Sequence, residues 1–168
     1  MIERAPSEAD LACIGRQLQR DPRDVAAISY RCPCGKPAVI ETPPRLSDGT
    51  PFPTLYYATC PKLTGAISTL ENGGLMSEMN QRLQSDPELT GNYAAAHEDY
   101  LAARDALAKR LNLTVPEIDG VSAGGMPERV KCLHSLIAHS LSTEPGVNPL
   151  GDEALAQLPK WWLENPCE

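Results

Sequence analysis

Val25-Ala-Ala-Ile-Ser-Tyr-Arg-Cys-Pro-Cys-Gly-Lys-Pro-Ala-Val-Ile-Glu-Thr42 is the stretch from which the fold follows. Val25 to Cys32 has the β-branched and aromatic bias of a strand. Pro33-Cys-Gly-Lys-Pro37 turns the chain and Ala38 to Thr42 returns, so the segment reads as a hairpin. Pro53-Thr-Leu-Tyr-Tyr-Ala-Thr-Cys60, beyond two prolines and the Ser47-Asp-Gly49 turn, is a third strand candidate.

Outside these strands the pattern is helical. Upstream, Ser7 followed by Glu8, Leu11, Ile14 and Leu18 reads as a short amphipathic helix that Asp21-Pro22 breaks. Downstream of Pro61, Leu63, Ile67 and Leu70 mark a helix that Gly73-Gly74 ends, and Leu75, Met79 and Leu83 mark the next. A long helix from about Glu88 to Leu111 follows, with Leu89, Tyr93, Ala96, Tyr100, Ala103 and Leu107 on one face. Asn112 to Gly125 reads as a linker or active-site loop, and Pro127 to Leu141 as a compact helix that Pro127 opens at its first position. Asn148 caps a last short helix. The expected fold is α+β, a small antiparallel sheet of about three N-terminal strands packed on a helical C-terminal part. One domain is expected over residues 1–168, with 1–6 and 159–168 as candidate flexible tails and the Trp161-Trp162 pair as a docking anchor.

Composition narrows the function classes. The net charge of −7 disfavours a nucleic-acid partner, which needs a basic face. No apolar run suits a signal peptide or a membrane span, so a cytoplasmic location without membrane insertion is expected. In a reducing compartment the six cysteines read as buried thiols, metal ligands or reactive groups rather than a disulfide framework.

Most of the chemistry gathers in Ser122-Ala-Gly-Gly-Met-Pro-Glu-Arg-Val-Lys-Cys-Leu-His134. A helix start with free N–H groups is an anion site, and Arg129 and Lys131 are placed there at a dipole cost of roughly 0.3–1 kcal/mol each. Ser122, Gly124, Gly125, Arg129 and Lys131 are therefore the candidate ligand-binding residues for a small phosphorylated or carboxylated molecule. The motif is neither a Walker loop nor a dinucleotide fingerprint. Tyr93, His97, Tyr100 and Arg104 fall on one stripe of the long helix, and that stripe reads either as a packing network or as a polar wall. In the second reading His97 serves as a base and Arg104 orients the anion. His97, Cys132 and His134 are the candidate catalytic residues, with Cys132 as a nucleophile whose basic surroundings lower its pKa.

A metal reading stands beside this one. Cys32, Cys34, Cys60 and Cys132 are candidate ligands of zinc or an iron–sulfur cluster, with His134 and His139 on the late helix. The single residue between Cys32 and Cys34 is not the usual spacing. On a helix Cys132 and His134 would stand about 200° apart, while Cys132 and His139 would be separated by about 10 Å of rise.

Gly49-Thr-Pro-Phe-Pro-Thr-Leu-Tyr-Tyr57, Ala96-His-Glu-Asp-Tyr-Leu-Ala-Ala-Arg104, Ser122 to His134 and Asn148-Pro-Leu-Gly151 together resemble a bacterial, chiefly actinobacterial, family. It is the domain-of-unknown-function family numbered five hundred and one, and the resemblance runs from about residue 7 to 156. Genes of that family often lie between a septum-formation initiator and an exopolyphosphatase-like gene, which implies a loose link to cell division or phosphate metabolism. The resemblance brings no activity and no catalytic residues with it. It motivates a rival reading, a non-enzymatic module with a protein partner in cell division. Whether the anion motif, the helix stripe and the cysteines meet in space, and which reaction they would serve, is not legible in the chain.

Overall fold

The computed structural model describes residues 5–164 and 167–168. Strands β1 (Ala27–Arg31), β2 (Pro37–Glu41) and β3 (Tyr56–Ala58) form one antiparallel sheet in that order. Among the described residues six α-helices accompany it: α1 (Glu8–Leu18), α2 (Pro61–Glu71), α3 (Leu75–Ser85), α4 (Pro87–Arg110), α5 (Leu133–Ser142) and α6 (Pro149–Ala156). The arrangement is α+β, with the three strands in the N-terminal half.

The sheet is covered on both faces, and for that reason all five residues of β2 are buried. Ile40 turns toward α1, where it clusters with Ile14 and Ile28. Val39, its neighbour along the strand, joins the larger core with Leu133, Leu136 and Ile137 of α5. Helix starts carry the expected chemistry. Ser7 and Asp10 close a capping box on α1, while Asp86 and Asn148 cap α4 and α6 ahead of a proline. Helix α6 crosses α5 so closely that a Cβ on Gly151 would overlap Ser140 Oγ and the Leu136 carbonyl oxygen.

One element departs from its expected bounds. The late helix begins at Leu133, six residues after Pro127. Gly124 and Gly125 take left-handed φ of +68° and +91°, and the turn closes through Lys131 N–H to Gly124 O and Arg129 N–H to Gly125 O. Pro127 thus lies inside a turn, and Cys132, extended at φ −150°, is the N-cap residue. Arg129 and Lys131 precede the helix, so the dipole cost assigned to them does not apply.

The C-terminal segment packs onto the rest of the molecule. Trp161 and Trp162 meet edge to face at 4.8 Å and lie against the main core. Cys167 is buried, its carbonyl accepts from Gln17 Nε2, and Glu168 pairs with Arg16 and Lys36. Residues 1–4 of the expected N-terminal tail, and 165–166 of the C-terminal one, fall outside the described residues. Among the described residues no helix is long and apolar enough to cross a membrane.

Candidate functional site

Two clefts, of about 470 and about 520 Å³, adjoin on one side of the molecule, and Thr54 and Cys132 line both. Their walls are fastened by the polar stripe of α4. Tyr93 OH donates to Arg129 O at 2.9 Å, and His97 Nδ1 lies 2.7 Å from Ser122 Oγ. Tyr100 OH accepts from the N–H groups of Leu55 and Tyr56. Arg104, 3% exposed, donates to the carbonyls of Pro53, Ile118 and Val121. Four side chains of one helix thus hold the 53–56 segment and the 118–129 loop on either side of the cleft. The packing-network reading of the stripe describes it. Arg104 gives three of its N–H donors to backbone carbonyls, and His97 and Ser122 are buried against each other. These three residues hold the walls of the site.

Cys132 sits at the head of α5 with His134 two residues on. Because Cys132 is extended rather than helical, the 200° separation expected on a helix does not arise. Its sulfur, an imidazole nitrogen of His134 and a carboxylate oxygen of Glu71 lie within 4.8 Å of one another. His134 Nδ1 is 3.0 Å from Glu71 Oε1, and Nε2 is 3.3 Å from both the Thr64 carbonyl oxygen and Ser68 Oγ. A carboxylate and a carbonyl are acceptors only, so a ring facing one on each nitrogen fits the doubly protonated imidazolium. The electrostatics agree. The contact with Cys132 raises His134 above its ordinary value against the opposing effect of burial, and Glu71 adds to the rise. Burial pushes the Cys132 thiol up, but hydrogen bonds from His134 and from the Ser135 N–H outweigh it and bring the thiol below its usual range.

Glu71 and Thr64 were not legible as site residues. One local signal existed for Glu71: it is an acid in the last turn of α2, where the helix dipole disfavours negative charge and no basic residue offsets it. The fold uses that carboxylate twice, since Oε1 faces His134 while Oε2 accepts from the Leu133 N–H at 3.0 Å.

The second cleft is lined by Ser122, Gly124, Gly125, Arg129 and Lys131, together with the acidic Glu128. The carbonyls of Ala123, Gly124 and Gly125 all accept within the loop, from Met126, Lys131, Glu128 and Arg129. Among the described residues their three N–H groups donate to nothing.

The expected metal set divides. Cys132 belongs to the cleft, whereas Cys32 and Cys34 form a separate group with Cys167, near Cys60. His139, 0% exposed, stacks on Tyr56 and bonds Asp99 through Nε2, while the Asn148 amide donates to its Nδ1. That pairing fixes the neutral tautomer, and burial lowers its pKa.

The model of the family described as "Protein of unknown function (DUF501)" matches residues 28–156. No curated protein and no solved structure matches the chain.

Proposed function

The chain belongs to the DUF501 family, a membership that carries no activity with it, and on the geometry of its clefts we propose a thiol-dependent enzyme acting on a small acyl substrate that bears a phosphate or carboxylate. The observation that carries this reading is that the donor atoms of Cys132, His134 and Glu71 lie within 4.8 Å of one another, with Cys132 lining both clefts. The substrate's anion would rest on the N–H groups of residues 123–125 with Arg129 and Lys131 alongside. The Cys132 thiolate attacks the carbonyl carbon, forming a C–S bond as the C=O electron pair moves onto oxygen. Collapse breaks the bond to the leaving group, which takes its proton from the His134 imidazolium. Water, deprotonated by the now neutral His134, then cleaves the S-acyl intermediate. Glu71 orients the ring and stabilises its charged form, the role of the acid in nucleophile–base–acid triads.

The test compares two alkylating reagents, neutral iodoacetamide and anionic iodoacetate, with the modified cysteine located by mass spectrometry. Cys132 is expected to react first at pH 7, on the order of tenfold faster than an ordinary thiol. Iodoacetate should gain relative to iodoacetamide, and Lys131→Ala or Arg129→Ala should remove that gain. Uniform labelling of the exposed cysteines, with no preference for Cys132, would sink the reading.

A zinc ion on the same three side chains is the second reading. It is favoured by the Thr64 carbonyl, which would accept from the far ring nitrogen as partners of metal-bound histidines commonly do. It predicts a zinc ion lost in Cys132→Ser and a thiol that chelation makes more reactive.

A further inference from the structure

A second thiol cluster includes none of the residues that line the two clefts. The Cys32, Cys34 and Cys167 sulfurs are all within 4.8 Å of one another, with Cys32 and Cys167 at 3.2 Å. Cys60, fully buried at the N-cap of α2, makes a side-chain contact with Cys167. The geometry points to a structural zinc site formed by the four thiolates of Cys32, Cys34, Cys60 and Cys167, joining the β1–β2 hairpin, the head of α2 and the C-terminal segment.

Three observations support it. First, the donor set is complete for zinc, which takes four thiolates tetrahedrally at about 2.3 Å and so sets sulfurs about 3.8 Å apart. The sulfurs of Cys32, Cys34 and Cys167 already stand close to that spacing, and side-chain rotations would open it and bring in Cys60 from its contact with Cys167. Second, the turn delivers the two hairpin cysteines together despite the single residue between them. Gly35, at φ +90°, lets its N–H reach Cys32 O while the Cys32 N–H bonds Lys36 O, which folds the loop back on itself. Third, Cys34 lies at the surface, which a purely apolar packing of thiols would not require. That exposed sulfur gives a metal its way in.

The site shares no residue with the cleft, so its fate and that of the Cys132 reading can be separated. Protein is purified under reductant, given one equivalent of zinc, desalted and assayed for metal, alongside Cys34→Ser, Cys60→Ser and Cys132→Ser. Expected is about one tightly held zinc per chain that Cys132→Ser retains. Cys34→Ser should weaken binding by more than the roughly 10–100-fold typical of a lost outer partner. Cys34 is exposed, so its serine variant should keep the native fold; circular dichroism checks this. Cobalt in place of zinc should give thiolate charge-transfer and tetrahedral bands in the wild type and lose them in Cys60→Ser. The assignment is overturned by wild-type protein that holds no zinc, by iron and sulfide in its place, or by a Cys32–Cys167 disulfide under these conditions. Zinc lost with Cys132 but kept without Cys34 overturns it as well and favours the metal reading of the cleft.

Discussion

His134 and His139 lie on the same helix and face opposite demands. The first has acceptors on both ring nitrogens and is raised by Cys132 and Glu71; the second is enclosed, holds one donor and one acceptor, and is lowered by burial. A raised histidine gives stability that is present below its unfolded pKa of about 6.5 and lost as the pH rises through the folded value. A lowered one gives stability that is present above about 6.5 and lost as the pH falls. In the wild type the two slopes oppose each other. In His134→Gln only the second remains, so the urea midpoint should fall more steeply between about pH 7 and about pH 5 than it does in the wild type. Parallel pH profiles for the two proteins would contradict the assignment. The same substitution should move the pH dependence of Cys132 alkylation upward, toward an ordinary thiol at about 8.5. An unmoved profile would mean that His134 does not hold the thiolate.

At the scale of elements, prolines, caps and apolar periodicity marked the strands and five of the six helices within a few residues, because each of those signals acts over one or two turns. The start of α5 was hidden for a different reason. Its boundary is set by two glycines in left-handed backbone, whose conformation depends on what they pack against: a Cβ on Gly124 would overlap Leu136. Pro127 is as acceptable inside a turn as at a helix start, so the residue alone did not decide. The α5–α6 crossing makes a firm prediction. Gly151→Ala should cost about 1–3 kcal/mol by overpacking, read as a lower denaturant midpoint, and an unchanged midpoint would show that the two helices can part without cost. Arg104→Met would leave three carbonyls without their donor and should destabilise by about 3 kcal/mol, whereas a ligand-binding arginine would change affinity and leave stability intact.

Across the whole molecule, the clusters that matter join residues far apart in the chain. Leu133 and Glu71 are 62 positions apart, and Cys167 and Cys32 are 135 apart. Types and local spacing could nominate Cys132, His134, Cys32, Cys34 and Cys60, but no short-range signal paired Cys132 with Glu71 or brought in Cys167. The C-terminal segment is held by one more long-range tie. Hydrogen bonds from Arg16 and Lys36 depress Glu168 to about 2. A depressed carboxylate holds its contacts above the unfolded value of about 4.3 and loses them as the pH falls through the folded one. Proteolysis of the segment after Trp162 should therefore quicken on acidification toward about pH 2, and equal rates across that range would show that Glu168 does not secure it.

The stripe on α4 makes the site sensitive to helical phase. Tyr93, His97, Tyr100 and Arg104 reach opposite walls from one rigid rod, so their relative rotation is as much a part of the cleft as any side chain. Inserting one alanine between Glu98 and Asp99 would rotate Tyr100 and Arg104 by about 100° against Tyr93 and His97. Both walls would then lose their alignment although no residue had been removed, and Cys132, whose cleft those walls shape, would lose its reactivity with them. Four inserted alanines, turning the rod by about 400° and so nearly back into phase, should recover more of that reactivity than one.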